Sequence, residues 1–245
     1  MPAPVSLLCL PCAGGSATMY LRWKRLVPAW LRIVPVELPG RGARLDEPCE
    51  AAFDTLVARL CDELQAELAG PHALFGHSMG GLLAHGIARR QRHLIRRLPE
   101  ALFVSASPAP ACRDPGRFAG RHDDAWLESD LRRQGGTPEE VLADAELRRL
   151  TLNVLRADYG VCESFSHRPQ DPPLEVPLHA FGGRDDEIGA QRLTPWRDET
   201  LGPFALHWFD GGHFFIRQHE ALVLDIVART LSAGPASTAP EPVAA

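Results

Sequence analysis

The sequence lacks the features that would direct a protein to nucleic acid or to a membrane. Its 245 residues carry a formal net charge of −5, so no excess of basic residues is available to bind a polyanion. The chain begins without a cluster of positive charge, and its first apolar run, residues 5–10, is too short for a signal peptide or a membrane span. We therefore expect a cytoplasmic protein with no nucleic-acid or membrane partner.

Cysteines are few and are not spaced as a complete metal site. The chain has six of them, and without a secretion signal they are expected to be reduced thiols. Cys9 and Cys12 have C-x-x-C spacing, but no second pair completes a zinc set and Cys9 lies within an apolar run. Gly14 and Gly15 lack the following Gly-Lys-Ser/Thr of a phosphate-binding loop. We expect neither a metal nor a cofactor.

The chain does contain an alternation of short apolar runs and longer amphipathic stretches. Buried strands are predicted at residues 5–10, 32–37, 72–75, 101–105, 176–181 and 205–209. Helices are predicted at about residues 19–27, 51–68 and 218–231. This alternation predicts an α/β fold with a mainly parallel central sheet and helices on both faces. We expect one domain over residues 1–231 and a disordered tail, rich in Ala, Pro, Ser and Thr, over residues 232–245.

Residues 76–80, Gly-His-Ser-Met-Gly, place a serine between an apolar run and a helical stretch. A strand, Gly-x-Ser-x-Gly and a helix together form a nucleophile elbow, in which small residues permit a strained turn that exposes the serine hydroxyl. A glycine-rich turn without chemistry is the alternative. The flanking strand and helix favour Ser78 as a nucleophile.

A nucleophilic serine needs a base and an acid that orients the base, in the chain order Ser, acid, His. Two later loops supply them, each directly after a predicted strand. His213 follows two glycines and is the candidate base. Asp186 is the favoured acid because the apolar Ile188 follows it and can anchor the loop, while Asp185 is the alternative. All three groups are expected at one edge of the sheet.

An oxyanion hole needs a second N–H beside that of Met79, the residue after the serine. The glycine-rich loop after the first strand can approach a substrate closely. We expect Ala13 to donate this second N–H, with Cys12 as its neighbour.

Residues 112–168 interrupt the alternation with helix signals and no convincing strand. Trp126, Leu127 and Leu131 recur on one helix face before a Gly-Gly stop. The interval leaves the sheet at the edge that carries the candidate catalytic loops. We therefore expect a helical lid over the site, and a helical decoration that only thickens the domain is the alternative.

Four motifs together resemble the type II thioesterases, the free-standing editing enzymes of non-ribosomal peptide and polyketide synthesis. They are residues 10–17 (LPCAGGSA), 37–42 (ELPGRG), 75–81 (FGHSMGG) and 209–215 (FDGGHFF). Residues 135–142 and 156–159 extend the resemblance into the predicted lid. The resemblance implies the α/β-hydrolase fold and a transient partner, an acyl or peptidyl carrier protein bound through its phosphopantetheine arm.

The resemblance also implies site residues, and they agree with those chosen from the sequence. Ser78 would be the nucleophile, Asp186 the acid and His213 the base, with Ala13 and Met79 at the oxyanion hole. Cys12 departs from the family, which usually has histidine there. Because the donor is a backbone amide, this change should affect only local packing.

The residues alone support a serine acyl hydrolase, and the thioester rests on the resemblance. A fatty acyl thioesterase and a generic carboxylesterase of the same fold are alternatives. A non-catalytic scaffold is disfavoured because all three catalytic residue types are present. An integrated terminal thioesterase domain is a further alternative, but no carrier-like Gly-x-Asp-Ser-Leu segment precedes the first strand, so we expect a free-standing protein. We also expect it to be a monomer.

Overall fold

The computed structural model of the chain describes residues 4–114, 116–118, 120 and 123–233. Within these residues lie six strands: β1 Val5–Leu10, β2 Leu31–Pro35, β3 His72–His77, β4 Leu102–Ser105, β5 Leu178–Gly183 and β6 Phe204–Phe209. The same residues form eight α-helices: α1 Phe53–Glu63, α2 Gln65–Ala69, α3 Met79–His93, α4 Asp124–Gln134, α5 Glu139–Ala143, α6 Ala145–Ser164, α7 Ala190–Leu193 and α8 Glu220–Ser232. None of these helices combines the length and the apolar composition needed to cross a bilayer. The predicted tail lies outside the described residues from position 234 onward.

The strands form one parallel sheet in the order β2-β1-β3-β4-β5-β6. Leu10 pairs with Gly76, and His77 pairs with Ser105, so the loops after β1, β3 and β4 leave the sheet at a common edge. β3 and β4 are buried along their whole length, as expected for central strands covered on both faces.

Successive residues of β1 face two separate hydrophobic cores. Leu8 and Leu10 pack into the core that also contains the apolar faces of α1 and α3. Leu7 and Cys9 pack into the opposite core, which α8 covers. The two-residue alternation of a strand therefore supplies both layers at once. The predicted mainly parallel sheet with helices on both faces is confirmed.

The helical stretch predicted around residues 19–27 does not form one α-helix. The structure has two short 3₁₀ helices instead, Ala17–Tyr20 and Arg22–Arg25. Tyr20 and Trp23 are buried three residues apart, which matches the three-residue turn of a 3₁₀ helix. Trp23 meets Phe75 of β3 edge to face with ring centroids 4.9 Å apart, so tertiary packing selects this local structure.

The helix predicted over residues 51–68 is divided at Leu64. Leu64 lies between α1 and α2 with φ −96° and ψ 16°, outside the α-helical region. Phe53, Leu56 and Leu60 still share the buried face that the 3.6-residue period predicted. The periodicity therefore identified the buried face but not the break.

The interval over residues 112–168 contains α4, α5 and α6 and, in its described part, no strand. Leu127, Leu142 and Leu155 belong to a separate small hydrophobic cluster formed by these helices. The carboxyl end of α6 is attached to the main domain, where Val161 packs into the core and Ser164 Oγ accepts the Phe53 N–H at 2.9 Å. The insertion thus has its own core and one anchored end.

Two half-buried histidines face each other across β5 and β6. His179 Nδ1 lies 2.9 Å from His207 Nε2, and the two rings are stacked. Burial lowers the pKa of His179 to about 4, and repulsion from His207 contributes. Below the ordinary pKa of 6.5 the unfolded chain binds a proton that the native chain does not. The free energy of unfolding should therefore fall as the pH drops from about 6.5 towards 4.

We expect His179→Gln to flatten this pH dependence. In the wild type, protonation linked to His179 should lower the free energy of unfolding by about 2 kcal/mol when the pH falls from 7.5 to 5.0. The variant should not show this contribution. Urea unfolding at the two pH values measures the difference. His93→Gln, at an exposed position, is the control and should behave as the wild type does. An unchanged pH dependence in His179→Gln would show that other groups set it.

Candidate active site

Ser78 occupies the sharp turn between β3 and α3. Its backbone has φ 55° and ψ −115°, a strained conformation for a residue that carries a side chain. The Ser78 N–H donates to the Ser105 carbonyl at 2.7 Å, and the Ser78 carbonyl accepts from the Gly81 N–H at 3.1 Å. These bonds hold the turn and leave the half-buried serine at the carboxyl edge of the sheet.

The glycines around Ser78 are required by the close approach of strand and helix. A Cβ at Gly76 would collide with the backbone of Gly80, and a Cβ at Gly80 would collide with the Leu10 carbonyl. Neither glycine has a positive φ, so space and not backbone freedom excludes larger residues. The elbow can therefore form only with glycine at both positions.

Asp186 and His213 are joined by a hydrogen bond between the loops that follow β5 and β6. His213 Nδ1 lies 2.9 Å from Asp186 Oδ2, and the two side chains are 11% and 2% exposed. Asp186 Oδ1 accepts the Ile188 N–H at 3.3 Å, so the buried Ile188 anchors the carboxylate from behind. His213 Nε2 is buried and has no hydrogen-bond partner among the described residues. The ring therefore has one oriented nitrogen and one that is available.

Asp185, the alternative acid, points elsewhere. It is exposed, and its N–H donates to the Gly211 carbonyl at 3.0 Å. A Cβ at Gly183 would collide with the carbonyls of Gly211 and Gly212, so this glycine lets the two loops meet. The geometry favours Asp186 as the residue that orients His213.

Ser78, His213, Ala13 and Met79 line one cavity. Ser78 and His213 thus share this space without a hydrogen bond between them, a separation common in a free enzyme. Met79 is the first residue of α3, and the first N–H groups of a helix have no partner inside the helix. The structure brings the predicted nucleophile, base and oxyanion residues together.

The helical insertion forms the other wall of this cavity, whose volume is about 50 Å³. Phe118, Gln134 of α4 and Tyr159 of α6 line it. The Tyr159 ring stacks on Phe118 at 4.3 Å, and Gln134 Nε2 lies 3.1 Å from the Tyr159 hydroxyl. The Tyr159 hydroxyl also donates to the buried Asp130. The candidate site lies between the sheet edge and the insertion, whose action as a lid stays a prediction.

A family model for a thioesterase domain matches residues 5–233. The chain belongs to the thioesterase family. Thioesterase PikA5 of Streptomyces venezuelae is 38% identical over 228 residues, which cover 89% of this chain and 80% of PikA5. Gramicidin S biosynthesis protein GrsT of Aneurinibacillus migulanus is 34% identical over 230 residues, which cover 94% and 90% of the two chains. The solved structure of the type II thioesterase BorB, from the borrelidin biosynthetic cluster, is 39% identical, covers 94% of each chain and superposes with a TM-score of 0.84.

These similarities confirm the predicted resemblance to type II thioesterases and the α/β-hydrolase fold. The protein is a thioester hydrolase. The family match assigns no role to individual residues. The roles of Ser78, Asp186 and His213 stay predictions that rest on the geometry.

His77 of the thioesterase lies beneath the candidate base. Its Nδ1 is 3.0 Å from Ser105 Oγ, and its ring centroid is 5.2 Å from that of His213. Burial lowers the pKa of His77 well below its ordinary value, and repulsion from His213 and Arg217 lowers it further. His77 is therefore neutral near pH 7 and supports the His213 ring by packing.

Cys12, the neighbour of the candidate oxyanion donor Ala13, is a packing residue. Its Sγ lies 3.6 Å from Met19 Sδ, and burial raises the pKa of its thiol to about 12. Burial likewise raises the pKa of Cys9 well above its ordinary value. All six cysteines are free. Both buried thiols are therefore protonated at neutral pH.

A second cavity, of about 460 Å³, is larger than the one at Ser78. It lies between α1, α3 and the segment after α6, against His85 and Arg89. Glu199 pairs with both of these residues, at 3.1 and 2.9 Å, so their polar groups already have a partner. Neither Ser78 nor His213 lines this space. The smaller cavity is the candidate active site because the strained serine and the oriented histidine line it.

The buried ion pair between Arg41 and Asp158, which contacts the glycine-rich loop after β1, was not predicted from the sequence. Both residues fall within the motifs on which the predicted resemblance rests, at residues 37–42 and 156–159, but no role was predicted for either. A signal was present, because Asp158 follows Val154 and Leu155 by four and three positions and so falls on the buried face of α6. A carboxylate on such a face needs a partner.

Proposed function

We propose that this chain is a free-standing serine thioesterase that removes acyl groups from phosphopantetheine thioesters on acyl or peptidyl carrier proteins. Its task would be to clear misacylated carriers of a non-ribosomal peptide or polyketide assembly line. The observation that carries this proposal is that Ser78, on its strained turn, and His213, which is hydrogen-bonded to Asp186, line one cavity. The relatives named above, from gramicidin S and borrelidin biosynthesis, match over most of the chain and support the carrier-bound substrate.

The first half of the reaction transfers the acyl group to Ser78. Asp186 accepts the His213 Nδ1–H, which leaves Nε2 free to take the hydroxyl proton as Ser78 Oγ attacks the thioester carbonyl. The N–H groups of Ala13 and Met79 stabilise the oxyanion of the tetrahedral intermediate. The C–S bond then breaks, and the leaving thiolate takes the proton from His213. An acyl-serine remains.

The second half returns the enzyme to its starting state. A water molecule attacks the acyl-serine carbonyl as His213 Nε2 removes its proton, and the same two amides stabilise the second oxyanion. The C–O bond to Ser78 breaks, and the serine oxygen regains a proton from His213. The product is a free carboxylic acid, and the carrier keeps a free thiol ready for a new acyl group.

The mouth of the cavity, where it opens into a neighbouring groove, is lined by arginines and suits a substrate that carries negative charge. Arg113, Arg117 and Arg192 line both the cavity and the open groove of about 340 Å³ that adjoins it. A phosphopantetheine arm carries a phosphodiester, for which arginine is a well-matched partner. Arg117 already pairs with the exposed Glu187, so the positive charge is partly balanced. The basic mouth supports a phosphate-bearing substrate.

The proposal includes a cytoplasmic monomer that meets its carriers briefly. An editing enzyme visits many carriers, so a micromolar or weaker affinity is expected, which corresponds to about −8 kcal/mol or less favourable. Most of the discrimination would then come from contacts around the mouth, since the thioester itself is common to every substrate.

We expect the same acyl group to be hydrolysed at least about tenfold more efficiently from a carrier protein than from coenzyme A. The thioester and the pantetheine are nearly identical in the two substrates, so contact with the carrier would supply the difference. The measurement is kcat/KM for acetyl, propionyl and long saturated acyl groups on both supports, beside p-nitrophenyl esters.

Each contrary outcome of this panel identifies another hydrolase. Equal or lower efficiency on every carrier would indicate a small-molecule thioesterase. A strong preference for long saturated chains would indicate a fatty acyl thioesterase. Faster hydrolysis of oxygen esters than of thioesters would indicate a carboxylesterase.

A further inference from the structure

Arg41 and Asp158 form a bidentate ion pair beside the loop that follows β1. Arg41 Nη1 and Nη2 donate to the two Asp158 carboxylate oxygens at 2.6 and 2.7 Å. The side chains are only 6% and 0% exposed. Burying two charges is costly, and a well-packed apolar pair is often as stable or more so, so stability alone accounts poorly for this pair. Its remaining contacts are more informative.

Both partners also bind the glycine-rich loop. The Gly14 N–H donates to Asp158 Oδ2 at 2.7 Å, and Arg41 Nη1 donates to the Gly15 carbonyl at 3.1 Å. Gly14 has φ +71°, and a Cβ placed there would reach Leu155 of α6 at 3.4 Å. The loop is therefore held against α6 by charge-assisted hydrogen bonds and by packing.

This anchoring extends to the candidate oxyanion donor. The Gly15 N–H donates to the Cys12 carbonyl at 3.0 Å, which fixes the peptide unit between Cys12 and Ala13. In a trans peptide the Ala13 N–H points away from that carbonyl, so its direction is fixed too. Ala13 also packs against both the main core and the cluster of the insertion. Three linked peptides thus connect Asp158 to the Ala13 amide.

The segment after β2 makes a further contact with the same loop. Glu37 Oε1 accepts the Ala17 N–H at 3.0 Å, and Glu37 lies four residues before Arg41. The two charged residues of the motif at residues 37–42 therefore both hold the loop after β1. Their contacts are made at Gly15 and Ala17, towards the end of the loop.

We propose that Asp158 and Arg41 are positioning residues for the oxyanion hole. The carboxylate on α6 holds Gly14, the guanidinium holds Gly15, and together they aim the Ala13 N–H at the carbonyl that Ser78 attacks. This inference rests on the proposed roles of Ser78 and Ala13. Because Asp158 belongs to the helical insertion, the oxyanion hole is complete only while α6 is seated against the loop.

The test replaces Asp158 with asparagine, which keeps the size of the side chain but removes its charge and one strong acceptor. We expect kcat for acyl-coenzyme A to fall by about 10- to 100-fold, with KM changed less than about twofold, because a misaligned donor affects the transition state more than the ground state. Arg41→Lys, which keeps the charge but loses the bidentate geometry, should act in the same direction.

Glu199→Gln is the matched control. Glu199 is also a buried carboxylate paired with an arginine, 2.9 Å from Arg89, but it does not contact the glycine-rich loop. Removing the charge of Glu199 should lower the free energy of unfolding, as Asp158→Asn does, but kcat should stay near the wild-type value. The comparison separates a loss of stability from a loss of alignment.

A second measurement reports on the oxyanion hole directly. An acyl trifluoromethyl ketone forms a tetrahedral adduct with the serine, so its inhibition constant should weaken in Asp158→Asn in parallel with kcat. The pH profile of kcat/KM should keep the wild-type shape, because Asp186 and His213 are untouched. A weaker inhibitor with an unshifted profile would distinguish a positioning role from damage to the base.

The outcomes separate this inference from the proposed function. If the wild type hydrolyses thioesters and Asp158→Asn retains both kcat and inhibitor affinity, the pair is only structural and the inference is wrong. If Asp158→Asn does not fold, kcat and inhibitor affinity measured for Arg41→Lys provide the same test. A wild type without thioesterase activity, or an active Ser78→Ala variant, would instead overturn the function.

Discussion

Ser78→Ala is expected to abolish thioester hydrolysis, lowering kcat by roughly five to six orders of magnitude. The variant loses the hydroxyl that forms the acyl-enzyme in the proposed mechanism, while the proposed oxyanion hole and substrate contacts remain. Alanine fits the same turn, and the φ of 55° strains serine and alanine to a similar degree, so the fold should be kept. Hydrolysis of acyl-coenzyme A, with the unfolding transition measured in parallel, checks both expectations.

Covalent labelling tests the same assignment independently. A fluorophosphonate should modify the wild type at Ser78, as located by peptide mass spectrometry, and should leave Ser78→Ala unlabelled. Ser129→Ala, at an exposed position of α4, is the control and should be labelled as the wild type is. Label found on another serine, or hydrolysis that survives in Ser78→Ala, would contradict the mechanism.

The sheet was predictable because its strands are apolar runs whose pattern depends on local sequence alone. β1 was predicted at its observed bounds, Val5–Leu10, since burial on both faces leaves almost no polar residue in the run. The 3₁₀ conformation of the stretch around Tyr20 and Trp23 could not be predicted, because it depends on tertiary contacts. Trp23 packs on Phe75, and the Tyr20 hydroxyl donates to the Leu10 carbonyl. Periodicity does not contain this tertiary information.

The residues in and around the candidate site also fall into two groups, those that could be predicted from the sequence and those that could not. Ser78, Asp186 and His213 could be placed because each follows a strand within a short glycine-bounded motif, and parallel strands bring such loops to one edge. The pairing of Arg41 with Asp158 could not be predicted, because the two residues lie 117 positions apart in the chain. They come into contact only when α6 packs against the loop after β1. Sequence motifs identify candidate reacting groups more readily than ion pairs between residues that are distant in the chain.

Asp186→Asn is expected to reduce kcat by about four orders of magnitude. Asp186 Oδ1 accepts the Ile188 N–H and Oδ2 faces His213 Nδ1, so an asparagine that keeps the first bond presents its amide hydrogens to the ring. Nδ1 must then accept, the proton moves to Nε2, and His213 can no longer remove the Ser78 proton.

The neighbouring aspartate provides the control for this second prediction. Asp185→Asn changes an exposed side chain one residue away, while the Asp185 N–H keeps its bond to the Gly211 carbonyl, so kcat should stay within about twofold of the wild type. Measuring kcat and KM for both variants on one acyl-coenzyme A gives the ranking. Because the imidazole of Asp186→Asn is in the wrong tautomer and not displaced, KM should change little in either variant. A larger loss in Asp185→Asn than in Asp186→Asn would show that the acid was assigned one residue too late in the loop.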